Sequence, residues 1–577
     1  MIKNIFKSSF RGTVLFLLVL VGTAGCQDLK PAINAYETGE YDQAIQLINQ
    51  YLQQKPTDEQ AYYYLGNCYI KKGEWDQAIE LYKKALGIKS KYWEAQAQLG
   101  YVYYKKGMYD EAERIFREGL KTKERGEFHN GLGLVQLAKG MLAEADLSFR
   151  KAISYDEKHA EFHRNLGDAN FRKGVLVIAI QEYQTALELD SSLVEARFNL
   201  AQAYLKQMRF NEAMEEYKTV IRMDPKNKDA YYALGDIYML DGKHYGEARV
   251  IYEEYLKFDP QDSKAQMNLG ISYYFLFRML PSLVVDQDTL TKSDLVDRAI
   301  RYLEKSSSQN PEEPQIHLYL GKCYQEKGEF PKALQAFESY EKSLTQKNHE
   351  WKTEDADFWV SKGQVQAQIG DSASLEQAIV SLKKAIELDS TKTTAFSTLG
   401  TALFDQGKYA EAIPFFQKKI ETDSNNAYAY YYLASCYLKL EKYKEAVEPL
   451  KRVVELKPDN AAAYELLAKV YFNLNNFEKA KDAYWEVLRL DPSKCDINYI
   501  VGYCFLQMNN PAAAVPYARK AVACVPRNVN YLLMLAKSLE ISKNTDEAYQ
   551  YYLKVLEIDP KNKDAIDGRD RIDMQKY

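Results

Sequence analysis

Alanine recurs along this sequence at an almost constant interval, and most of the spacings are 33 to 35 residues. The recurring residues are Ala44, Ala78, Ala112, Ala145, Ala179, Ala213, Ala248, Ala299, Ala333, Ala378, Ala412, Ala446, Ala480, Ala514 and Ala548. A small apolar residue that returns at such a period is typical of a repeated structural unit. We therefore predict an array whose core grows with chain length, because 577 residues are too many for one compact core.

Two further positions accompany the alanines. Twelve residues before most of them, a tiny residue follows a branched apolar one: Leu65-Gly66, Leu99-Gly100, Leu132-Gly133, Leu166-Gly167, Leu200-Ala201, Leu399-Gly400, Leu433-Ala434 and Leu467-Ala468. Four residues after many of them stands an aromatic residue: Tyr82, Phe116, Phe149, Tyr183, Tyr217, Phe416 and Tyr552. Only small side chains let two helices approach closely, so each unit is predicted to be a helix pair. A proline often ends the unit, as at Pro225 and Pro458, where it stops the second helix.

These positions resemble the tetratricopeptide repeat family, whose 34-residue helix-turn-helix unit carries Leu-Gly, Tyr, Ala, Phe and Pro at the same places. The resemblance runs from about residue 27 to the C-terminus and predicts about fifteen units. It implies an all-α fold, a right-handed α-solenoid (superhelix) of antiparallel helix pairs. The first helix of each pair is expected to line the concave side.

The end of the array also has a signature. Asp224 to Ala230 recurs word for word at Asp559 to Ala565 and predicts one more first helix. Its Leu-Gly positions are occupied by Arg569 and Asp570. Each repeat buries its apolar face only against its neighbours, so the last repeat needs a cover. We predict that this helix caps the array and presents a polar outer face.

The repeat register also defines the domain plan. It predicts a lipoprotein signal peptide at 1–25, an atypical first repeat at 26–58, repeats over 59–273, 298–340 and 356–561, insertions at 274–297 and 341–355, and a capping helix at 562–577. The first insertion opens with the apolar stretch Tyr274 to Val285, which either extends its helix and packs back or contacts a partner. The second is charged and is expected to change only the superhelical pitch. Asp371 to Ser374 is predicted to be a lengthened turn.

The N-terminus has the pattern of a secretion signal. Lys3, Lys7 and Arg11 precede an apolar run from Val14 to Val21 that is too short to span a bilayer. Ala24-Gly25-Cys26 resembles the end of the lipobox of bacterial lipoproteins, which implies cleavage before Cys26 and lipid attachment to its thiol. Thr23 departs from the Leu that the lipobox prefers, and ordinary signal cleavage and an uncleaved anchor are the alternatives. Lipidation implies the bacterial cell envelope, on the periplasmic or outer-membrane face.

Charge and composition exclude some functions. Removing residues 1–25 takes the formal net charge from −5 to −8, so the chain lacks the basic balance of nucleic-acid-binding proteins. The 47 tyrosines suit half-buried helix faces and binding grooves, because Tyr combines a large apolar ring with a polar tip. We expect proteins or extended peptides as partners, a membrane reached through a lipid anchor, and no nucleic acid.

The chemically reactive residues have structural explanations. Cys68, Cys323, Cys436 and Cys504 share one repeat position, where Val or Ala stands elsewhere, which indicates small buried packing sites. Cys495 and Cys524 lie in one repeat, and disulfide pairing between them stays open.

Catalytic and metal-binding patterns are absent from the sequence. His159 and His163 have no visible third ligand, so no metal site is predicted. Gly131-Leu132-Gly133 follows no strand, which favours helix packing over a nucleotide loop. Without a catalytic motif we predict no enzyme and no cofactor.

The family resemblance also predicts binding residues. Asn165, Asn199 and Asn268 occupy the sixth position of their first helices, where family members use asparagines to grip an extended peptide by its backbone. Neighbouring concave positions hold Tyr63, Asn67, Tyr101, Arg164, Asp168, Phe198, Tyr232, Asp236, Tyr428, Tyr431, Tyr499 and Tyr503. Alternatively, the asparagines only cap or bridge adjacent helices. The two-lysine carboxylate clamp of chaperone-binding relatives is not reproduced.

Two functional hypotheses follow from this sequence. The first is a non-catalytic scaffold or adaptor, tethered to the bacterial envelope, that binds proteins along the concave face. The second is an accessory or regulatory subunit of an envelope assembly or export machine for pili, outer-membrane proteins or exopolysaccharide, or of a separately encoded enzyme. The sequence does not choose between them.

Overall fold

A computed structural model describes residues 28–240, 242–279, 291–346 and 355–576 of the chain. These residues form helices joined by short turns, and they contain no strand. The chain divides into two compact units, the first ending at Pro260 and the second beginning at Gln261. The predicted all-α fold of consecutively paired helices is confirmed.

The helices of the first unit are α1 (Lys30–Glu37), α2 (Tyr41–Gln54), α3 (Glu59–Lys71), α4 (Trp75–Ile88), α5 (Trp93–Lys105), α6 (Tyr109–Thr122), α7 (Gly126–Ala138), α8 (Leu142–Tyr155), α9 (Ala160–Lys173), α10 (Leu176–Leu189), α11 (Val194–Lys206), α12 (Phe210–Met223), α13 (Lys228–Leu240) and α14 (Tyr245–Tyr255). Odd-numbered helices are the first helices of the repeats.

The helices of the second unit are α15 (Ser263–Met279), α16 (Lys292–Gln309), α17 (Pro314–Lys327), α18 (Phe330–Gln346), α19 (Ala356–Ile369), α20 (Ser372–Leu388), α21 (Thr393–Asp405), α22 (Tyr409–Thr422), α23 (Ala427–Lys439), α24 (Tyr443–Leu456), α25 (Ala461–Asn473), α26 (Phe477–Leu490), α27 (Cys495–Gln507), α28 (Pro511–Cys524), α29 (Val529–Ile541), α30 (Thr545–Ile558) and α31 (Lys563–Lys576). Again the odd-numbered helices begin the repeats.

A short turn joins the two helices of each repeat. Between α3 and α4 the turn residue Gly73 has φ 78°, and between α25 and α26 Asn475 takes the same left-handed conformation with φ 57°. This conformation reverses the chain within a few residues and is readily adopted by Gly and tolerated by Asn. The result is an αα-hairpin whose helices run in opposite directions.

Small residues bring the paired helices together, as the sequence predicts. A Cβ atom on Gly100 would lie 2.4 Å from Phe116 Cε1, which is far inside van der Waals contact. The same ring meets the next repeat, because a Cβ on Gly131 would lie 2.3 Å from Phe116 Cζ. Phe116 is therefore held between its own repeat and the following one, and the packing role predicted for Gly131 is confirmed.

The first helices also pack on one another. In each unit many first helices contact the first helix of the next repeat, as α5 does with α7 and α19 with α21. No contact of comparable extent joins successive second helices within the described residues. First helices of neighbouring repeats thus lie closer together than second helices do. We call the surface that they form the first-helix face.

Two irregular segments are helical where the structure describes them. Tyr274 to Met279 extend α15, and the Tyr274 ring packs 5.5 Å from that of Tyr319, between ring centroids. The packing alternative therefore describes this part of the first insertion, and 280–290 lie outside the described residues. Residues 341–346 of the second insertion continue α18.

The lengthened turn predicted at Asp371 to Ser374 is wrong. Helix α20 begins at Ser372, and the Asp371 side chain caps it by accepting a hydrogen bond from the Ser374 backbone N–H at 2.9 Å. Aspartate and serine both occur in turns and at helix N-termini, so composition alone does not separate the two cases.

Six of the seven cysteines fall within the described residues. Cys68, Cys323, Cys436 and Cys504 are buried, which confirms their predicted packing role. Cys495 and Cys524 form a disulfide with Cα atoms 5.9 Å apart. The bond joins the start of α27 to the end of α28 and so closes one repeat on itself. Pairing, which the sequence left open, is what the structure shows.

Helix α31 covers the end of the second unit. Ala565 and Ile572 are fully buried, and they belong to one core cluster with Leu535, Tyr552 and Val555. Arg569 pairs with Asp570 at 2.6 Å on the polar side of the helix. The helix therefore has one apolar face, and that face packs on the last repeat.

Candidate functional site

Asn165 lies inside the first unit, in a chain of hydrogen bonds between first helices. It is 1% exposed, and its Nδ2 donates to Asn130 Oδ1 at 2.8 Å. Asn130 Nδ2 donates to the Tyr101 hydroxyl at 2.8 Å, and that hydroxyl donates to the Glu127 carbonyl oxygen at 3.2 Å. The buried amide of Asn165 thus bridges α9 to α7, as the helix-bridging alternative predicts, and a peptide-binding role for it stays a prediction.

Asn199 and Arg164 also join adjacent first helices. Asn199 Nδ2 and the Tyr183 hydroxyl both donate to Asp168 Oδ1 at 2.8 Å. Burial raises the pKa of the Asp168 carboxyl, although Arg164 and the two donors favour its charged form. Arg164 Nη1 forms an ion pair with Glu195. These predicted binding residues thus already hold α9 and α11 together.

The ninth position of the first helix serves buried tyrosines of the second helix. Asn67 Oδ1 accepts a hydrogen bond from the Tyr82 hydroxyl at 2.6 Å, and Asp236 Oδ1 accepts one from Tyr252 at 3.0 Å. Both tyrosines are fully buried, so each hydroxyl needs a partner inside its repeat. Asn67 and Asp236 therefore have a structural role within their repeats, and a binding role for them stays a prediction.

Most other predicted binding residues pack in aromatic clusters. The ring centroid separations are 5.5 Å for Tyr63 and Tyr92, 5.5 Å for Phe198 and Tyr217, 5.9 Å for Tyr232 and Tyr255, 5.0 Å for Tyr499 and Tyr531, and 5.6 Å for Tyr503 and Phe472. Asn268 of α15 is 9% exposed. A binding role for these residues stays a prediction.

Tyr431 of α23 lines open cavities. It borders one cavity of about 600 Å³ together with residues of α24 and α25, and another of about 360 Å³ together with Phe404 and Leu466. Tyr428 and Tyr432 of the same helix also line the larger of these cavities, and Tyr428 is 50% exposed. Their ring centroids are 4.6 Å apart. Helix α23 therefore presents several tyrosine rings to accessible space.

A further cavity of about 610 Å³ crosses α17, α19, α21 and α23 on the first-helix face, and we call it the polar groove. It is lined by Gln325, Glu326, Phe330, Gln364, Ala367, Gln368, Ser397, Thr398, Thr401, Ala402, Asp405, Tyr428 and Tyr432. Amides and hydroxyls that can donate and accept hydrogen bonds dominate this surface. Because Tyr428 and Tyr432 also line the 600 Å³ cavity, the two openings adjoin along α23.

Some polar side chains of the polar groove already have partners within the protein. Gln325 Nε2 donates to Gln364 Oε1 at 3.0 Å and so joins α17 to α19 across the groove wall. Glu326 is paired with Arg278 at 2.8 Å. Partial burial raises the pKa of the Asp405 carboxyl. Among the described residues, the lining carries no lysine or arginine, so this surface is neutral to acidic.

Tyr428 and Tyr431 are predicted from the sequence as binding residues, whereas most residues of the polar groove are not. Residues such as Gln364, Thr398 and Asp405 occupy the ninth, sixth and thirteenth positions of consecutive first helices. A signal was present in the repeat register, because several adjacent repeats carry uncharged donors at these positions. The asparagine pattern at the sixth position does not include these residues, because they are glutamine, threonine and aspartate.

Metal-binding clusters and membrane-spanning helices are both absent from the described residues. These residues contain no cluster of three His, Cys, Asp or Glu side chains that could hold a metal ion. The His159 ring stacks on Phe162 at 3.9 Å between centroids, whereas His163 Nδ1 contacts Glu182 Oε2 at 2.7 Å. None of the described helices has the length and apolar character of a membrane span.

Family models match most of the chain. A model described as "Tetratricopeptide repeat" matches 97–153, 198–274, 465–529 and 505–563, and a second of that description matches 290–353. A "TPR repeat" model matches 179–207. The model for "Anaphase-promoting complex, cyclosome, subunit 3" matches 37–119, 371–453 and 405–487. A search of curated protein sequences gave no match.

Several solved structures are similar to this chain. A crystal structure of MamA protein is 25% identical, with 29% of this chain and 92% of MamA covered and a TM-score of 0.27. The APC/C hetero-tetramer Cut9-Hcn1 is 15% identical, with 88% and 95% covered and a TM-score of 0.31. YrrB, described as a TPR protein with an unusual peptide-binding site, is 24% identical, with 32% and 96% covered and a TM-score of 0.26.

Proposed function

Because this chain belongs to the tetratricopeptide repeat family, we propose that it is a non-catalytic scaffold that binds an extended segment of a partner protein in the polar groove. A tetratricopeptide array is an interaction scaffold. The observation that carries the proposal is the groove itself, an open cavity of about 610 Å³ that crosses four first helices.

The chemistry of the polar groove suits a peptide backbone. Each peptide group presents one donor and one acceptor, and amide and hydroxyl side chains can serve both. Gln364, Gln368, Thr398 and Thr401 supply such groups along the groove. The tyrosines of α23 adjoin it and offer apolar contact to the side chains of a bound segment. Backbone contacts would hold the segment, and the tyrosines would add preference for particular residues.

Crosslinking from within the groove tests this proposal. A photo-crosslinkable amino acid at Thr398 is expected to capture a discrete partner from envelope extracts. Replacing both Gln364 and Gln368 by Ala should reduce that capture about tenfold, because each lost hydrogen bond costs about 0.5–1.5 kcal/mol. Yield of the crosslinked band would be measured at equal protein concentration, beside circular dichroism melting curves, in which loss of the Gln325–Gln364 hydrogen bond should lower the melting temperature only slightly.

Matched variants on α20 provide the control. Val380 is 68% exposed on that second helix, and a crosslinker there should not capture the same partner. Replacing exposed Glu376 and Lys383 by Ala should leave capture from Thr398 unchanged. Equal capture from Val380, or undiminished capture after loss of both glutamines, would count against the groove.

We also propose that the scaffold is tethered to the bacterial envelope through lipid on Cys26. The support is the apolar run from Val14 to Val21 before Ala24-Gly25-Cys26, although these residues lie outside the described part of the chain. The Cys495–Cys524 disulfide adds support, because such bonds persist mainly in oxidising compartments outside the cytoplasm.

Mass spectrometry of the mature N-terminus is expected to find acyl chains on Cys26. Since each buried CH₂ contributes about 0.8 kcal/mol, several chains hold a protein firmly on a membrane. Cys26→Ala should therefore move the protein from the membrane fraction to the soluble fraction, whereas Cys68→Ala should not. A Cys26→Ala protein that still sediments with membranes would exclude the lipid tether.

A further inference from the structure

The C-terminal ends of the first helices differ in charge along the array. In the first unit, four repeats carry a cation at the thirteenth position, namely Lys71, Lys105, Arg172 and Lys206. Three consecutive repeats of the second unit carry Glu326, Gln368 and Asp405 there, and all three line the polar groove. The next repeat returns to a cation, Lys439. The remaining repeats of the second unit carry an uncharged residue there, namely Phe275, Asn473, Gln507 and Ile541, so within this unit the carboxylates of Glu326 and Asp405 distinguish the groove.

Asp405 is not explained by helix stability. It is the last residue of α21, where the helix dipole favours cations and disfavours a carboxylate. Glu326, by contrast, has Arg278 as its partner. Among the described residues, no Lys or Arg lies within ion-pair distance of Asp405, and partial burial raises the pKa of its carboxyl. The groove therefore holds one carboxylate that lacks a cation.

Two tyrosine rings line the polar groove together with this carboxylate. Tyr428 lies beside Asp405 and Thr401, and half of its surface is accessible. The ring centroid of Tyr432 lies 4.6 Å from that of Tyr428, and Tyr432 also lines the groove. A cation at this place would meet a carboxylate and the face of an aromatic ring, and both attract positive charge.

We propose that Asp405 and Tyr428 form a specificity site of the polar groove that selects a lysine or arginine side chain in the bound segment. The proposal rests on the proposed function, because it names the residue type that the groove prefers. The cation replaces the missing partner of Asp405 and packs against the Tyr428 ring. The backbone of the segment would meanwhile contact the amides and hydroxyls of α19 and α21.

Positional peptide libraries test this selection. The probes are fluorescent dodecapeptides with blocked termini, random in Ala, Ser, Thr, Asn and Tyr, with one position fixed as Lys, Arg, norleucine or Glu. Wild-type protein is expected to bind the Lys and Arg libraries about fivefold more tightly than the norleucine library at one position. Asp405→Asn should abolish that preference, and Asp405→Lys should transfer it to Glu.

The controls separate selection from folding and from peptide binding itself. Glu376→Gln removes a carboxylate from α20 and should keep the preference for Lys and Arg. Asp405→Asn should melt at or slightly above the wild-type temperature, since it removes an unfavourable charge from a helix end. Wild-type binding without a preference for cations, or a preference that survives in Asp405→Asn, overturns the inference. Failure of every library to bind overturns the proposed function instead.

Discussion

Ending the chain at Asn562, which removes α31, is expected to speed amide hydrogen exchange in α29 and α30 about a hundredfold. This corresponds to a loss of roughly 3 kcal/mol in the free energy of opening of these helices. The reason is the apolar surface that α31 covers. Tyr552, Val555 and Leu535 are fully buried and share a core cluster with Ala565 and Ile572 of the cap. Exchange measured by mass spectrometry should rise there and stay unchanged in α3 and α4.

Two point variants of α31 make this prediction independent of truncation. Ile572 is fully buried, whereas Met574 two residues later is 79% exposed. Ile572→Ser should reproduce much of the increase in amide hydrogen exchange, because it replaces a buried apolar side chain by a polar one. Met574→Ser should have almost no effect. Unchanged protection in α29 and α30 of the Ile572→Ser protein would show that the last repeat is stable without its cap.

An ion pair between Glu540 of α29 and Arg571 of α31 makes the stability of the cap depend on pH. Glu540 accepts hydrogen bonds from Arg571 at 2.9 Å and 3.0 Å and from the Tyr552 hydroxyl at 2.5 Å. Although partial burial opposes ionisation, these bonds hold the pKa of Glu540 below its usual range. A lowered folded-state pKa stabilises the cap above the unfolded pKa of about 4.3, and this contribution disappears as pH falls through the folded value.

Reduction of the Cys495–Cys524 disulfide is expected to destabilise its repeat by about 3–4 kcal/mol. The two cysteines of the bond are separated by 29 positions in the sequence. In the chain-entropy model, closing a loop of that length lowers the entropy of the unfolded chain and stabilises the folded state by about this amount. Reductant should therefore increase hydrogen exchange in α27 and α28 by two orders of magnitude or more. Amides of α3 and α4, far along the sequence, should not respond.

A variant without the bond provides the reference. The double replacement Cys495→Ala and Cys524→Ala should exchange like the reduced wild type and should not respond to reductant. Cys504 lies in the same repeat, but burial raises the pKa of its thiol to about 12, so it is a poor thiolate for disulfide exchange. If oxidised and reduced wild type exchange equally, the disulfide does not contribute to stability.

Sequence alone determined the architecture of this protein, because a repeat imposes the same local contacts at every period. The tiny residue at the Leu-Gly position recurs with the repeat and can be recognised without a structure. At Gly100 the structure supplies the reason, because a Cβ atom there would lie 2.4 Å from the Phe116 ring. The buried partner of Asn67 could also have been found. Tyr82 in the second helix requires a polar residue in the first, and that partner stands fifteen positions earlier.

The binding site depended on the tertiary structure, because repeat position does not say how a particular neighbour uses a side chain. Asn165 occupies a repeat position that binds peptide in family members, yet its amide donates a hydrogen bond to Asn130 of the preceding repeat. Asp405 is one of many carboxylates in the sequence, and only its neighbours across the groove show that it lacks a cation. Contacts within a repeat recur with the period. Contacts between repeats depend on the residues that each pair of neighbouring repeats presents. These contacts between repeats decide which polar groups remain available to a partner.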